Sequence, residues 1–271
     1  MKIYDCIIFF DENFLLDIRF NILDKFVDYF VVVESNKTWQ NNFKKFNFDF
    51  KKFKKFSSKI IYVKVEDMPN GSNPWTRENF QRNCIMRGLV NSKDNDIIII
   101  SDADEIPNPL KISEFNSKRK YCVLEQKFFY YKLNLLNITH PNWYGSKICL
   151  KKYLKSPQWL RNLKIKKRPL WRIDKIKLNY VIENGGWHFS NLKSPQDLLY
   201  KYKNLCEYKD DHVFFNSIDE KFLDEKVIKY NIDNKLDIIG RNCKYKKIKI
   251  DSSFPKYIYD YQKKFKSWIE K

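Results

Sequence analysis

The chain is poor in the residues on which the commonest nucleotide and metal motifs depend. Glycine occurs only 6 times in 271 residues. Neither G-x-G-x-x-G nor G-x-x-x-x-G-K-[ST] is present, which excludes a Rossmann dinucleotide loop and a P-loop. The 6 cysteines (Cys6, Cys84, Cys122, Cys149, Cys206, Cys243) are widely spaced without a C-x-x-C, so a zinc knuckle or dithiol pair is excluded and reduced thiols are expected. No apolar run approaches the roughly 20 residues of a spanning helix. The segment from Met1 to Glu12 is too short in apolar residues, and too flanked by acids, for a signal peptide. The expectation is a cytoplasmic protein, soluble or peripheral on a membrane surface.

What is present is enough for a packed core: 43% hydrophobic and 17% aromatic residues. The net charge of +19, from 52 Lys and Arg against 33 Asp and Glu, favours anionic partners. Nucleotide-sugars, phosphorylated glycans, acidic lipid and nucleic acid all qualify, and a solvated lysine-rich surface accounts for the charge equally well.

Along the first hundred residues, apolar strands and helical patterns alternate. Strands are predicted at 4–10, 28–34 and 59–65, helices at 13–26 and 75–91, and a fourth strand at the isoleucine run from Ile97 to Ile100. Such alternation argues for parallel βαβ units. Between Trp39 and Ser58, Phe43, Phe46, Phe50 and Phe53 recur at helical spacing among lysines. A crossover helix covering the sheet is expected there, the competing reading being an interfacial helix on an anionic membrane. Residues 120–136 suggest long strands in a mixed sheet, 164–172 a basic, mobile-looking segment, and 194–206 and 254–268 helices.

The most informative stretch is Asp96-Ile97-Ile98-Ile99-Ile100-Ser101-Asp102-Ala103-Asp104-Glu105-Ile106-Pro107. Four isoleucines in a row read as a strand buried on both faces. It ends abruptly in three carboxylates, at the edge where open α/β sheets bind ligands. Asp102 and Asp104 are candidates for holding a hard divalent cation, Mn²⁺ or Mg²⁺, beside substrate phosphates. Glu105 is a candidate supporting carboxylate or acceptor contact. His188, in Gly185-Gly186-Trp187-His188-Phe189-Ser190, is the later residue best suited to join them as a metal or diphosphate contact, since glycines allow close backbone approach. Trp187 is a candidate for stacking on a sugar face, or for the core.

Four segments occur in an order that can be named: Asp11-Glu12 followed by Leu15-Leu16-Asp17-Ile18-Arg19-Phe20, then Val33-Glu34-Ser35-Asn36-Lys37-Thr38, the Asp102 to Pro107 string, and Gly186-Trp187-His188 with Ser190. Together they resemble glycosyltransferase family 17, typified by animal enzymes that add the bisecting N-acetylglucosamine to the core β-mannose of N-glycans. The resemblance spans about residues 4–206. It implies a GT-A-type α/β fold, with a mostly parallel central sheet flanked by helices. It also implies a UDP-sugar donor such as UDP-N-acetylglucosamine, a divalent metal bound by Asp102 and Asp104, and inversion at the anomeric carbon. The animal enzymes carry a membrane anchor and lumenal stalk that are not read here, so a cytosolic saccharide or lipid-linked saccharide acceptor is expected. In GT-A folds the helix carrying Arg77 and Arg82 borders the nucleotide, making both cofactor-binding candidates; Glu12 and Glu34, at the ends of the first two strands, are candidates for the uridine. A catalytic base is sought at Glu183, just before the Gly-Trp-His turn, with Glu105 and Glu125 as rivals.

The expected organisation is a catalytic domain over 1–206 and a C-terminal helical extension over 207–271. Two other functions are weighed. A haloacid-dehalogenase-like phosphatase also uses Asp-x-Asp after a strand, but after the first strand and before Gly-Thr. A basic nucleic-acid-binding protein would explain the charge, yet no recognised binding signature accompanies it.

Overall fold

The computed structural model describes residues 1–71, 73–165, 178, 180–208 and 218–271. Its first hundred residues alternate as the pattern predicts: β1 (Ile3–Phe9), α1 (Asn13–Leu23), β2 (Tyr29–Ser35), β3 (Ile60–Val65), α2 (Pro74–Asn83), α3 (Ile85–Gly88) and β4 (Ile97–Asp102). The strands lie side by side in the order β3, β2, β1, β4, all parallel. All four isoleucines of β4 are buried; Ile97 and Ile99 enter one core cluster, Ile98 and Ile100 the other. This is the two-sided burial that an unbroken apolar run implies. The predicted 75–91 helix is two helices that meet at Cys84. α2 starts cleanly because Asn73 accepts from the backbone N–H of Trp75 and Pro74 sits in the first turn.

The lysine–phenylalanine tract departs from expectation. Among its described residues there is no α-helix, only a single 3₁₀ turn at Lys54–Phe56. Glu34 explains the difference. Its carboxylate, at the end of β2, accepts from the backbone N–H groups of Asn47 and Phe48, from Lys44 Nζ at 2.6 Å and from Tyr62 Oη at 2.7 Å. Those bonds hold the loop open in a form that buries Phe48, Phe53 and Phe56 in the core. The aromatic residues are thus divided, Phe48, Phe53 and Phe56 pointing inward while Phe43 and Phe50 stay exposed, and the tract offers no interfacial helix.

Beyond the acidic turn come β5 (Glu105–Pro107), α4 (Pro109–Ile112), β6 (Tyr121–Tyr130), β7 (Leu135–Asn137), β8 (Asn142–Trp143), β9 (Lys147–Leu150), α5 (Pro157–Asn162), β10 (Val181–Ser190), α6 (Pro195–Asn204), α7 (Glu225–Asp233), β11 (Tyr245–Lys247) and α8 (Lys256–Asp260). The α/β class holds, but the sheet is mixed rather than mostly parallel. β9 joins β4 antiparallel, and β6 pairs antiparallel with β7, β8 and β9 and parallel with β10. Short hairpin connections around the ten-residue β6 require antiparallel neighbours.

The C-terminal residues are only partly helical and are not separable from the rest. β11 pairs with β7 in the same sheet, while Phe254, Ile258 and Phe265 are buried in the core beside α1. α8 spans five residues, not the whole of 254–268. Of the basic 164–172 segment, residues 166–172 lie outside the described residues. Among the described residues no helix is long and apolar enough to cross a membrane.

Candidate active site at the carboxyl edge of the sheet

The acidic turn is held first by its backbone. Arg19, fully buried on α1, makes a bidentate pair with Asp5 of β1 at 2.6 and 2.7 Å. The same guanidinium donates to the carbonyls of Asp102 (3.1 Å) and Glu105 (2.8 Å) and to Ser101 Oγ. Five N–H donors in a rigid fork suit arginine to this task.

The side chains of the turn are held by other arginines. Asp102 accepts from Arg82 Nη2 at 3.0 Å and from Arg161 Nη2 at 2.5 Å, so both of its oxygens are engaged. Burial alone would raise the Asp102 carboxyl; the guanidiniums of Arg161 and Arg82 outweigh burial and hold it well below the usual range. Asp104 is likewise penalised by burial and brought down by His188 and then Lys201. Lys147, buried beneath the turn and donating to the carbonyl of Arg161, is pulled down to about 7, chiefly by burial and next by Arg161.

Glu105 faces inward. It is fully buried and bonds Arg161 twice, Trp143 Nε1 at 2.6 Å, Ser146 Oγ and the backbone N–H of Asp102. Its packing is so close that a Cβ on Gly145 would lie 1.9 Å from Glu105 Oε1. Glu105 thus positions Arg161 and is not exposed to take a proton from an acceptor.

Above Asp102 and Asp104 opens a cleft of about 210 Å³, whose wall includes Glu12, Trp39, Trp75, Glu78, Arg82, Lys201 and Glu207. The structure therefore gathers Asp102, Asp104, Arg82 and Glu12 as expected. His188 stands close by: its Nε2 is 3.5 Å from Asp104, its ring stacks on Phe128 with centroids 4.7 Å apart, and its buried Nδ1 has no partner among the described residues.

Other expected residues lie elsewhere. Trp187 points to the opposite face of β10, into the core, with Nε1 donating to the carbonyl of Ser253. The neighbouring glycine serves strand packing rather than a ligand, since a Cβ on Gly186 would lie 2.2 Å from the carbonyl oxygen of Ile106. Arg77 is buried and donates to the carbonyls of Trp39 and Gly71, holding the loop that carries Trp39 rather than lining the cleft. Glu34 is consumed by its loop. Glu183 is exposed within the bulge of β10 between Ile182 and Gly186, five residues before His188, and is not among the described residues that line the cleft.

Sequence reasoning missed Arg161, Lys147, Trp39, Trp75 and Lys201. Each comes from a segment distant from the acidic turn, and nothing local in the sequence marks any of them as part of the site.

Among the described residues no three His, Cys, Asp or Glu gather as a metal cage. The donor set nevertheless fits a cation shared with a substrate. The cleft is lined by five carboxylates (Glu12, Glu78, Asp102, Asp104, Glu207) against Arg82 and Lys201. A bound diphosphate would widen that deficit, and a Mg²⁺-type ion needs only one or two protein carboxylates.

The fold and the cleft define a class: α/β proteins with a mixed-charge cleft at the carboxyl edge of the sheet, the edge where open α/β sheets bind ligands. Residues 1–248 match the model of glycosyltransferase family 17, and the chain belongs to that family. It is 34% identical over 103 residues to the human and rat β-1,4-mannosyl-glycoprotein 4-β-N-acetylglucosaminyltransferases. That match covers 34% of this chain but only 19% of each relative. Among solved structures, similarity extends to a putative glucose-1-phosphate thymidylyltransferase from Bacillus anthracis, in complex with a sucrose (14% identity, TM-score 0.36, 69% of this chain and 88% of that one). It extends also to glucosyl-3-phosphoglycerate synthase from Mycobacterium tuberculosis, in complex with Mn²⁺, UDP and phosphoglyceric acid (18% identity, TM-score 0.25, 48% and 43%). Both structural likenesses are distant.

Proposed function

We propose that the protein transfers N-acetylglucosamine from UDP-N-acetylglucosamine to a saccharide acceptor, free or lipid-linked, with inversion at the anomeric carbon. The observation that carries the reading is the meeting of Asp102 and Asp104 with Arg82 and Lys201 in one cleft at the end of β4. Family membership and the names of the mammalian relatives support the sugar and its transfer. Membership also favours sugar transfer over the phosphatase reading.

The leaving group in such a transfer is a nucleoside diphosphate, whose negative charge grows as the glycosidic bond breaks. Asp102 and Asp104 would hold Mn²⁺ or Mg²⁺, which when bound supplies Lewis-acid neutralisation of that charge. Arg82 and Lys201 line the same cleft, and with Arg82 exchanging its Asp102 partner for the departing diphosphate both cations stabilise the charge that develops there. Lys201 is penalised by burial yet raised overall by Asp104, Tyr202, Glu12 and Asp11, so it keeps its proton at neutral pH. Trp39 and Trp75 give the cleft an aromatic wall suited to the uracil ring.

A panel of UDP- and GDP-sugars, with and without Mn²⁺, tests the reading through thermal stabilisation and slow donor hydrolysis. UDP-N-acetylglucosamine with Mn²⁺ at about 100 times its Kd is expected to raise Tm on the order of 5 °C. Equal stabilisation without metal, or preference for a GDP-sugar, would overturn it.

A further inference from the structure

A second cavity, of about 400 Å³, adjoins the first, and Glu12 borders both. Its lining differs in kind. Phe14 and Trp268 supply an aromatic wall, their ring centroids 5.1 Å apart, and Asp11, Asn47, Ser194 and Asp197 supply polar atoms. Among its lining residues Lys193 is the one cation, and it is already paired with Asp11. Beyond that pair two carboxylates (Glu12 and Asp197) line the cavity with no arginine among its lining residues, and Lys132 Nζ lies 5.8 Å from the Trp268 centroid, so the lining carries no cationic cluster for a second diphosphate.

A neutral polyhydroxylated ligand has the opposite fit. Its hydroxyls donate to carboxylate and amide oxygens, and the C–H face of a pyranose ring packs on an indole. The volume lies within the ~300–1,000 Å³ of small-molecule sites, which combine apolar walls with a few placed polar groups. The cavity is also in the right place. Asp11 lies two residues past the end of β1, next to Glu12, and Lys201 interacts with Asp104, Glu12 and Asp11, so one charged seam joins the two cavities. Asp11 itself is raised by burial and then by Glu12, only partly offset by Lys193 and Lys201. It thus stands as a strong hydrogen-bond acceptor at the boundary.

We propose that this second cavity is the acceptor subsite, taking a neutral pyranoside whose ring lies against Trp268 and whose hydroxyls are held by Asp11 and Asp197. The assignment of the pyranoside as acceptor rests on the glycosyl-transfer reading of the first cleft; the binding of a pyranoside here does not.

Saturation-transfer NMR with methyl β-D-mannopyranoside is the test, run on the full chain. Transfer to the ring protons is expected in the wild type and is retained under saturating UDP with Mn²⁺. Trp268→Leu and Asp11→Asn are each expected to bind the sugar about tenfold more weakly, a loss of about 1.4 kcal/mol. Trp268→Leu keeps the UDP-induced thermal shift and Asp11→Asn keeps the cooperative thermal transition of the wild type, which reports that each is folded. Displacement of the sugar by UDP, unchanged signal in both variants, or no signal in the wild type each overturns the proposal. Absence of a UDP-induced shift in the wild type, with sugar binding intact, would instead sink the donor reading and leave the cavity assignment standing.

Discussion

Two sets of arginines grip the same four-residue turn, one through its backbone and the other through its side chains. Arg19 pairs with Asp5 in a site from which water is excluded, and it touches only main-chain oxygens and Ser101 Oγ of the strand end. Arg82 and Arg161 bind the carboxylate of Asp102, which is about a third exposed and opens onto the cleft. The chemistry of the pairs is alike, and their consequences are not. A sealed pair with no other partner available is architecture, because losing either member strands a charge. A pair at a cleft wall is exchangeable, because an incoming diphosphate or cation offers each member a replacement.

This contrast is broken most directly at its sealed end. Arg19→Met is expected to cost about 3–5 kcal/mol, the penalty for leaving a buried charge unpaired, measured by urea unfolding. Adding Asp5→Leu should restore most of that loss; failure to do so would mean that the contacts to the turn, rather than the ion pair, carry the stability.

At the cleft the order reverses. Asp102→Asn should cost less stability than Arg19→Met and weaken Mn²⁺-dependent UDP binding by at least about 100-fold, since even groups behind a metal ligand carry 10–100-fold. Calorimetric titration reads this, and unchanged metal-dependent binding would show the carboxylate to be structural.

Lys147 sharpens the comparison through pH. Its folded value, about 7, lies below the 10.5 of the unfolded chain. Between those values the unfolded state carries a proton that the folded state lacks, so stability rises with pH across that window. Lys147→Met removes this gain. The Tm of the variant minus that of wild type should be greatest near pH 6 and shrink toward pH 10; a flat difference would refute the shift. The smallest effect is expected at Arg77→Lys. The planar fork that reaches the carbonyls of Trp39 and Gly71 is lost there, at about 1 kcal/mol and a few-fold in donor affinity.

How much of this was legible in the sequence follows the range of the interactions involved. β1, β2 and β4 declared themselves by local apolar runs, and the Asp102–Asp104 pair by its position after one. The tract around Phe48 misled because helical spacing is a local signal, whereas its conformation is set by Glu34, more than ten residues upstream. His188 and Trp187 were both noticed, but β10 alternates its faces, and only the register with β5 decides that the histidine meets Asp104 while the tryptophan enters the core. Arg161 and Lys147 were invisible: nothing near either residue distinguishes it from a surface cation in a chain carrying 52 lysines and arginines.

The grip of Arg19 has a consequence for synthesis. Ribosomes deliver the chain from its N-terminus, and domains assemble as they emerge. Asp5, Arg19, Ser101, Asp102 and Glu105 are all out by the time Pro107 appears, whereas Arg161 follows some fifty residues later. The nascent protein can thus set the spine of its acidic turn while Arg82 alone holds the Asp102 carboxylate, and Glu105 waits for its guanidinium partner until α5 arrives.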